Sequence, residues 1–97
     1  MQANKKVEII INKLESRQVL LLLKRQNIRG FTFWDGVKGQ GDRGQQDGHG
    51  LSETFMNTYF VIACTEEEFA RIKEKLRNLL REVGGVCMVS DVEWLLH

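Results

Sequence analysis

The chain has 97 residues, 42% of them hydrophobic and 28% charged, with a formal net charge of +1. That length makes one domain with a thin core, which favours association of copies. The near-zero charge gives no electrostatic reason to expect nucleic acid or an anionic membrane surface as a partner.

The first residues, Met1 to Lys6, are polar and show no apolar core of a signal peptide. Val7, Ile9 and Ile11 alternate with Glu8, Ile10 and Asn12. That spacing predicts a strand fully buried on one face and partly buried on the other. Ser16 to Gln26 contains helix formers and no breaker, and Val19, Leu20, Leu22 and Leu23 give it a broad apolar face. The apolar run Val19 to Leu23 is far too short to cross a bilayer, so no membrane insertion is expected. Asn27 tolerates the left-handed conformation that ends a helix.

Ile28, Phe31 and Phe33 are expected to begin a second strand, with Thr32 and Trp34 on its opposite face. Thr58 to Cys64 is β-branched and aromatic and predicts a third strand. Thr65 followed by Glu68 has the spacing of a capping box. Phe69, Ile72, Leu76, Leu79 and Val83 then recur at helical spacing until Gly84 and Gly85 stop the helix. Val86 to Val92 predicts a fourth strand. The two cysteines, Cys64 and Cys87, sit in apolar stretches. They read as buried structural thiols in preference to a disulfide or metal pair, which points to a cytosolic location.

The order βαββαβ predicts an α+β, ferredoxin-like fold: a four-stranded antiparallel sheet with both helices on one face. Its other face, carrying Ile10, Thr32, Trp34 and residues of the third strand, needs a cover. A second copy is the simplest one.

The segment from Gly36 to Asn57 breaks the pattern. It holds six of the nine glycines, and Lys38 to Gly50 contains no apolar residue. A hairpin needs only about 2–5 residues, so a loop of this length is expected to be functional. Glycines let main chain approach a ligand closely, and successive N–H groups form a concave anion site. Gly39-Gln40-Gly41 is the best candidate for such a site, with Lys38 and Arg43 supplying charge. The alternative is a flexible spacer that binds nothing, and no P-loop motif is present.

Ile28-Arg29-Gly30-Phe31-Thr32, followed by Val37-Lys38-Gly39-Gln40-Gly41, resembles the PII stretch that reads I-T-G-M-T and then V-K-G-F-G and leads into the long T-loop. The end, GVCMVSDV from Gly85 to Val92, is similar to the PII strand GKIFVFDV. Lys13 to Gly30 matches the PII spacing without gaps, so the resemblance covers nearly the whole single domain, residues 1–97, with its T-loop at about 36–57.

The resemblance implies a cytoplasmic trimeric regulatory protein with its three sheets facing inward. It implies an adenine nucleotide in each cleft between subunits and a T-loop that contacts a target protein. Thr32 matches the strand-two threonine beside the nucleotide, and Gly39 and Gly41 match the glycines near its phosphates. Lys38 and Arg43 stand beside them. Ala63 falls where main chain reads the adenine edge, and Gly84 and Gly85 sit at the B-loop. Thr32 also reads as a plain strand residue, and Gly84 as an ordinary helix cap.

The departures point to a subgroup. The PII B-loop lysine is replaced by Val86, the B-loop is shortened, and the arginines PII carries beyond the last strand have no counterpart. Tyr59, the only tyrosine, lies in a predicted strand. These features resemble the carboxysome-associated PII-like (CPII) group. That resemblance implies ADP or AMP, and bicarbonate, as ligands, and a link to inorganic carbon. The alternatives are a nitrogen-regulatory PII protein binding ATP and 2-oxoglutarate, or a metal-binding trimer of the copper-tolerance type using His49, Cys64 and Cys87. No catalytic set appears at telling spacing, so neither an enzyme nor a catalytic cofactor is expected. An RNA-binding module with the same strand order needs glycines and a basic residue that the third strand lacks.

Overall fold

The computed structural model describes residues 4–38 and 56–96. Strand β1 (Asn4–Asn12) leads through a short 3-10 turn (Lys13–Glu15) into helix α1 (Ser16–Arg25). Then come β2 (Phe31–Val37), β3 (Asn57–Thr65), α2 (Glu66–Val83) and β4 (Val86–Val92). The sheet order is β2-β3-β1-β4, with every neighbouring pair antiparallel. This is the ferredoxin-like α+β arrangement expected from the sequence.

Alternation along each strand sorts the sheet into two faces. Val7, Ile9 and Ile11 of β1 and Phe60, Ile62 and Cys64 of β3 are buried. They pack with Val19 and Leu23 of α1 and Ile72 and Leu76 of α2 in one cluster. Each such side chain contributes roughly 1.5–3 kcal/mol by leaving water. The two helices supply that cover, so the core lies entirely on one side of the sheet.

Local chemistry fixes the helix ends. Thr65 accepts from the Glu68 N–H at 3.1 Å, and the Glu68 carboxylate accepts from the Thr65 N–H at 2.9 Å, which completes the predicted capping box. At the other end of α2, Gly84 adopts φ 85° and donates its N–H to the Leu80 carbonyl at 2.8 Å. Helix α1 ends at Asn27, which is left-handed at φ 62°.

Two boundaries differ from the sequence expectation. Ile28 is not in the second strand. Its N–H bonds to the Leu23 carbonyl at 2.9 Å while the Asn27 N–H bonds to that of Lys24 at 3.1 Å. That is a Schellman ending, and Ile28 buries its side chain in the core beside Leu23 as such endings favour. The loop after β2 also starts later than Gly36. The register shifts between Trp34 and Val37, and Gly36 takes φ 79° there. An extra residue is absorbed as a bulge, and the strand carries on to Val37.

Candidate functional site

The sheet face away from the helices is the first part of the site. Residues paired across neighbouring strands share a face, so two rows run across it. One row is Trp34, Tyr59, Ile10 and Val86, and the next is Thr32, Val61, Glu8 and Met88. Trp34 stacks on Tyr59 with ring centroids 5.3 Å apart. Trp34, Val86 and Met88 are about half exposed. Ile10, Thr32 and Trp34 therefore lie on the bare face as expected, and β4 adds Val86 and Met88 to it.

A polar group interrupts this face. The Tyr59 hydroxyl donates to the Glu8 carboxylate at 2.6 Å, and the Lys6 ammonium stands 3.5 Å from the same oxygen. The Tyr59 hydrogen bond, aided by the Lys6 charge, holds the Glu8 carboxyl below its ordinary value. The same bond pushes the Tyr59 phenol up. Sequence reading missed this pair. Its signal was two polar residues two places apart in register on adjacent strands, visible only once the register is known.

Thr32 and Ala63 come together on this face. Thr32 pairs with Val61, so Ala63 is its diagonal neighbour, roughly 7–8 Å away. The Ala63 N–H is committed to the Gly30 carbonyl at 2.8 Å. A Cβ on Gly30 would stand 2.7 Å from the Ala63 carbonyl oxygen, so only glycine lets these strands approach here. The Ala63 carbonyl is the main-chain acceptor at this spot.

Lys38 and Gly85 lie at the same end of the sheet, where β2 ends and β4 begins, but on opposite edges. Three strand spacings separate them, roughly 14 Å. One chain does not bring them together. Two chains with the β2 edge of one beside the β4 edge of the other do. Gly84 spends its N–H on capping α2, in keeping with its cap reading. Gly85 has φ 123°, and a Cβ there would meet the Ile10 carbonyl oxygen at 2.9 Å. Gly39, Gly41 and Arg43 lie outside the described residues.

The cysteines do not form a site. Cys64 pairs with Lys5 and Cys87 with Ile9, on opposite sides of β1 and four residues out of register. Burial, with the Glu68 charge, pushes the Cys64 thiol up to about 11, and burial also raises that of Cys87. Protonated thiols are poor metal ligands. His49 is outside the described residues, which contain no cluster of three metal-ligating side chains. None of their helices is long and apolar enough to cross a membrane.

Comparison with known proteins bears on the whole of this arrangement. The family model described as nitrogen regulatory protein P-II matches residues 4–95. The fold is similar to that of CPII, a nitrogen regulatory PII-like protein from Thiomonas intermedia K12, solved bound to ADP, AMP and bicarbonate. The TM-score is 0.78 at 26% identity, over 93% of this chain and 86% of that one. CPII bound to ADP and bicarbonate gives a TM-score of 0.76 at 26% identity, with the same coverage. A putative PII-like signaling protein from Thermus thermophilus shares the fold at a TM-score of 0.72 and 22% identity, over 94% of this chain and 88% of that one. No curated protein matches the chain by sequence. The chain belongs to the nitrogen regulatory protein P-II family, as a PII-like regulatory protein similar to CPII.

Proposed function

We propose that this protein senses an adenine nucleotide, ADP or AMP, together with bicarbonate, and reports inorganic carbon status to a target protein through its T-loop. The observation that carries the reading is the 26% identity, over 93% of the chain, to a PII-like protein bound to those three ligands. The working form is a homotrimer closed through the bare sheet face. Its exposed Trp34, Val86 and Met88 need a cover, and the split of Lys38 from Gly85 calls for a site shared between chains.

In that site Thr32 and the Ala63 carbonyl face the adenine, whose amino group donates to the carbonyl. Gly39 and Gly41 bring main-chain N–H groups to the phosphates from one chain, and Gly84 and Gly85 form the shortened B-loop of the next. Lys38 and Arg43 add positive charge. Bicarbonate, small and anionic, suits the donors at the loop base. The role is regulatory rather than enzymatic. The protein acts in the cytoplasm in association with carboxysomes, without a catalytic cofactor, nucleic acid or membrane insertion.

A calorimetric panel of AMP, ADP, ATP, cyclic AMP and bicarbonate tests the reading. ADP or AMP is expected to bind, and more tightly with bicarbonate present. No binding of any adenine nucleotide at millimolar concentration, with or without bicarbonate, would overturn it. Light scattering checks the assembly separately: a mass near three chains is expected, and a mass near 11.2 kDa would remove the trimer.

A further inference from the structure

Ala63 and the exit of β4 lie at one end of the sheet. Ala63 pairs with Lys6, and Lys6 pairs with Ser90, so the Ala63 carbonyl stands level with Ser90. Asn4 pairs with both Thr65 and Val92, which sets the last residue of β4 just beyond that row. Gly30, before the start of β2, accepts from the Ala63 N–H at the same end. Lys38 and Gly85 lie at the other end. Past Val92 come Glu93 and the half-buried Trp94. Leu95 and Leu96 follow at 96% and 90% exposure, the most exposed large apolar residues described. Two adjacent leucines in water gain from any apolar surface that covers them.

Within one chain the leucines and the start of β2 are on opposite edges, three strand spacings or roughly 14 Å apart. The trimer sets the β2 edge of one chain beside the β4 edge of the next and removes that separation. Three antiparallel steps separate β2 from β4, so the two strands run in opposite directions. The closure that joins Lys38 to the neighbour's Gly85 at one end therefore joins Gly30 and Ala63 to the neighbour's Val92 at the other. Four residues beyond Val92 reach at most roughly 14 Å, enough to cross the junction. The groove between α2 and β4 of the same chain also extends toward Val92, at Phe69, Lys73 and Val89, but residues 93–96 do not line it.

We infer that Leu95 and Leu96 of the neighbouring chain close over the base of the nucleotide held at Thr32 and Ala63. The inference rests on the sensor reading above and names the residues that complete the base end of its site. Ala63 offers the base a hydrogen-bond acceptor, and Thr32 lies diagonal to it on the same face. Neither supplies the apolar cover with which a small-molecule site takes most of its ligand out of water. The two leucines supply it, and the base in turn covers them.

Two measurements on the full chain test this. Arg29→Cys and Leu96→Cys together place thiols beside Gly30 and in the segment after β4. Diamide takes one hydrogen from each of two thiols and leaves a disulfide. With AMP present, reducible two- and three-chain species mapped to 29–96 are expected. No 29–96 linkage between chains, or linkage of 96 to Cys87 within one chain, would overturn the inference. Calorimetry on the Leu95→Ser, Leu96→Ser variant, with its mass checked by light scattering, reads the contribution to binding. AMP and ADP should both weaken by the same factor, roughly tenfold, because the base is common to them. Bicarbonate should enhance binding as much as before. Unchanged affinity in the variant, or a loss confined to ADP, overturns this inference alone. A wild-type protein that binds no adenine nucleotide overturns the sensor reading and this inference with it. The linkage measurement decides by itself if the serine variant does not assemble.

Discussion

The hydroxyl of Tyr59 and the carboxylate of Glu8 share a 2.6 Å hydrogen bond on the sheet face turned away from the helices. Each partner changes the other's acidity, in opposite directions: Glu8 is held down and Tyr59 is pushed up. A carboxyl lowered on folding contributes stability above its ordinary value, and loses it as pH falls through the lowered one. A phenol raised on folding contributes stability below about 10, and loses it as pH rises through the raised value.

Tyr59→Phe therefore flattens the stability profile at both ends. Denaturant midpoints measured from pH 3 to 11 should converge for wild type and variant at the extremes and differ most between them. Parallel curves across the whole range would show that the bond contributes nothing in solution. Glu8→Gln should reproduce the acid half of the effect.

Three glycines make a graded series. Gly36 has φ 79° with nothing within 4 Å of a built Cβ, so Gly36→Ala meets only backbone strain, about 1–2 kcal/mol. Gly30→Ala puts a Cβ 2.7 Å from the Ala63 carbonyl oxygen and must push β2 from β3, at about 1–3 kcal/mol. Gly85→Ala combines φ 123° with contacts of 2.9 Å to the Ile10 oxygen and 3.0 Å to Leu80, and should be the worst of the three. Thermal or urea unfolding ranks them. Gly36→Ala as the most damaging would contradict the geometry.

Most of the fold was legible because its signals are local. Period-two alternation in Val7, Ile9 and Ile11 placed the core face, and the spacing of Thr65 and Glu68 marked the start of α2. Asn27 announced the end of α1, but the Schellman bond that draws Ile28 into the core is a contact back to Leu23, and composition alone assigns Ile28 to the next strand. Gly36 looked like loop because glycine usually punctuates strands, whereas here it carries a bulge inside one. The site was less legible for a different reason. Thr32 and Ala63 are far apart in sequence and meet only through the β2–β3 register, and Lys38 and Gly85 do not meet within one chain at all.

The capping box makes a sharper claim about α2. Thr65 and Glu68 satisfy each other's main-chain N–H groups at 3.1 and 2.9 Å. Thr65→Ala should cost about 1 kcal/mol, and Thr65→Ser very little, since serine caps equally well. Equal losses for the two variants would mean that the threonine methyl, not its hydroxyl, matters at this position.

Val86 carries the prediction about ligand preference. It is the first residue of β4, 50% exposed on the bare face, and pairs with Ile10 directly after the strained Gly85. It stands where the PII resemblance places the B-loop lysine. A lysine there would give a charge-assisted contact to a phosphate, worth roughly 1.5–3 kcal/mol. At about 1.4 kcal/mol per decade, that is one to two decades of affinity. Val86→Lys should thus tighten ATP by roughly 10–100-fold relative to AMP, because only the longer phosphate chain supplies the extra anion. If bicarbonate uses the anion position that the missing lysine leaves open, the same variant should also weaken its enhancement of AMP binding. Calorimetry with ATP, ADP and AMP, each with and without bicarbonate, reads both effects in one series. Val86 is half-exposed in the single chain and lies on the face that closes the trimer, so far-ultraviolet circular dichroism checks the fold of the variant and light scattering its assembly. An unchanged ATP-to-AMP ratio in a folded, trimeric variant would show that the phosphates do not lie beside the start of β4.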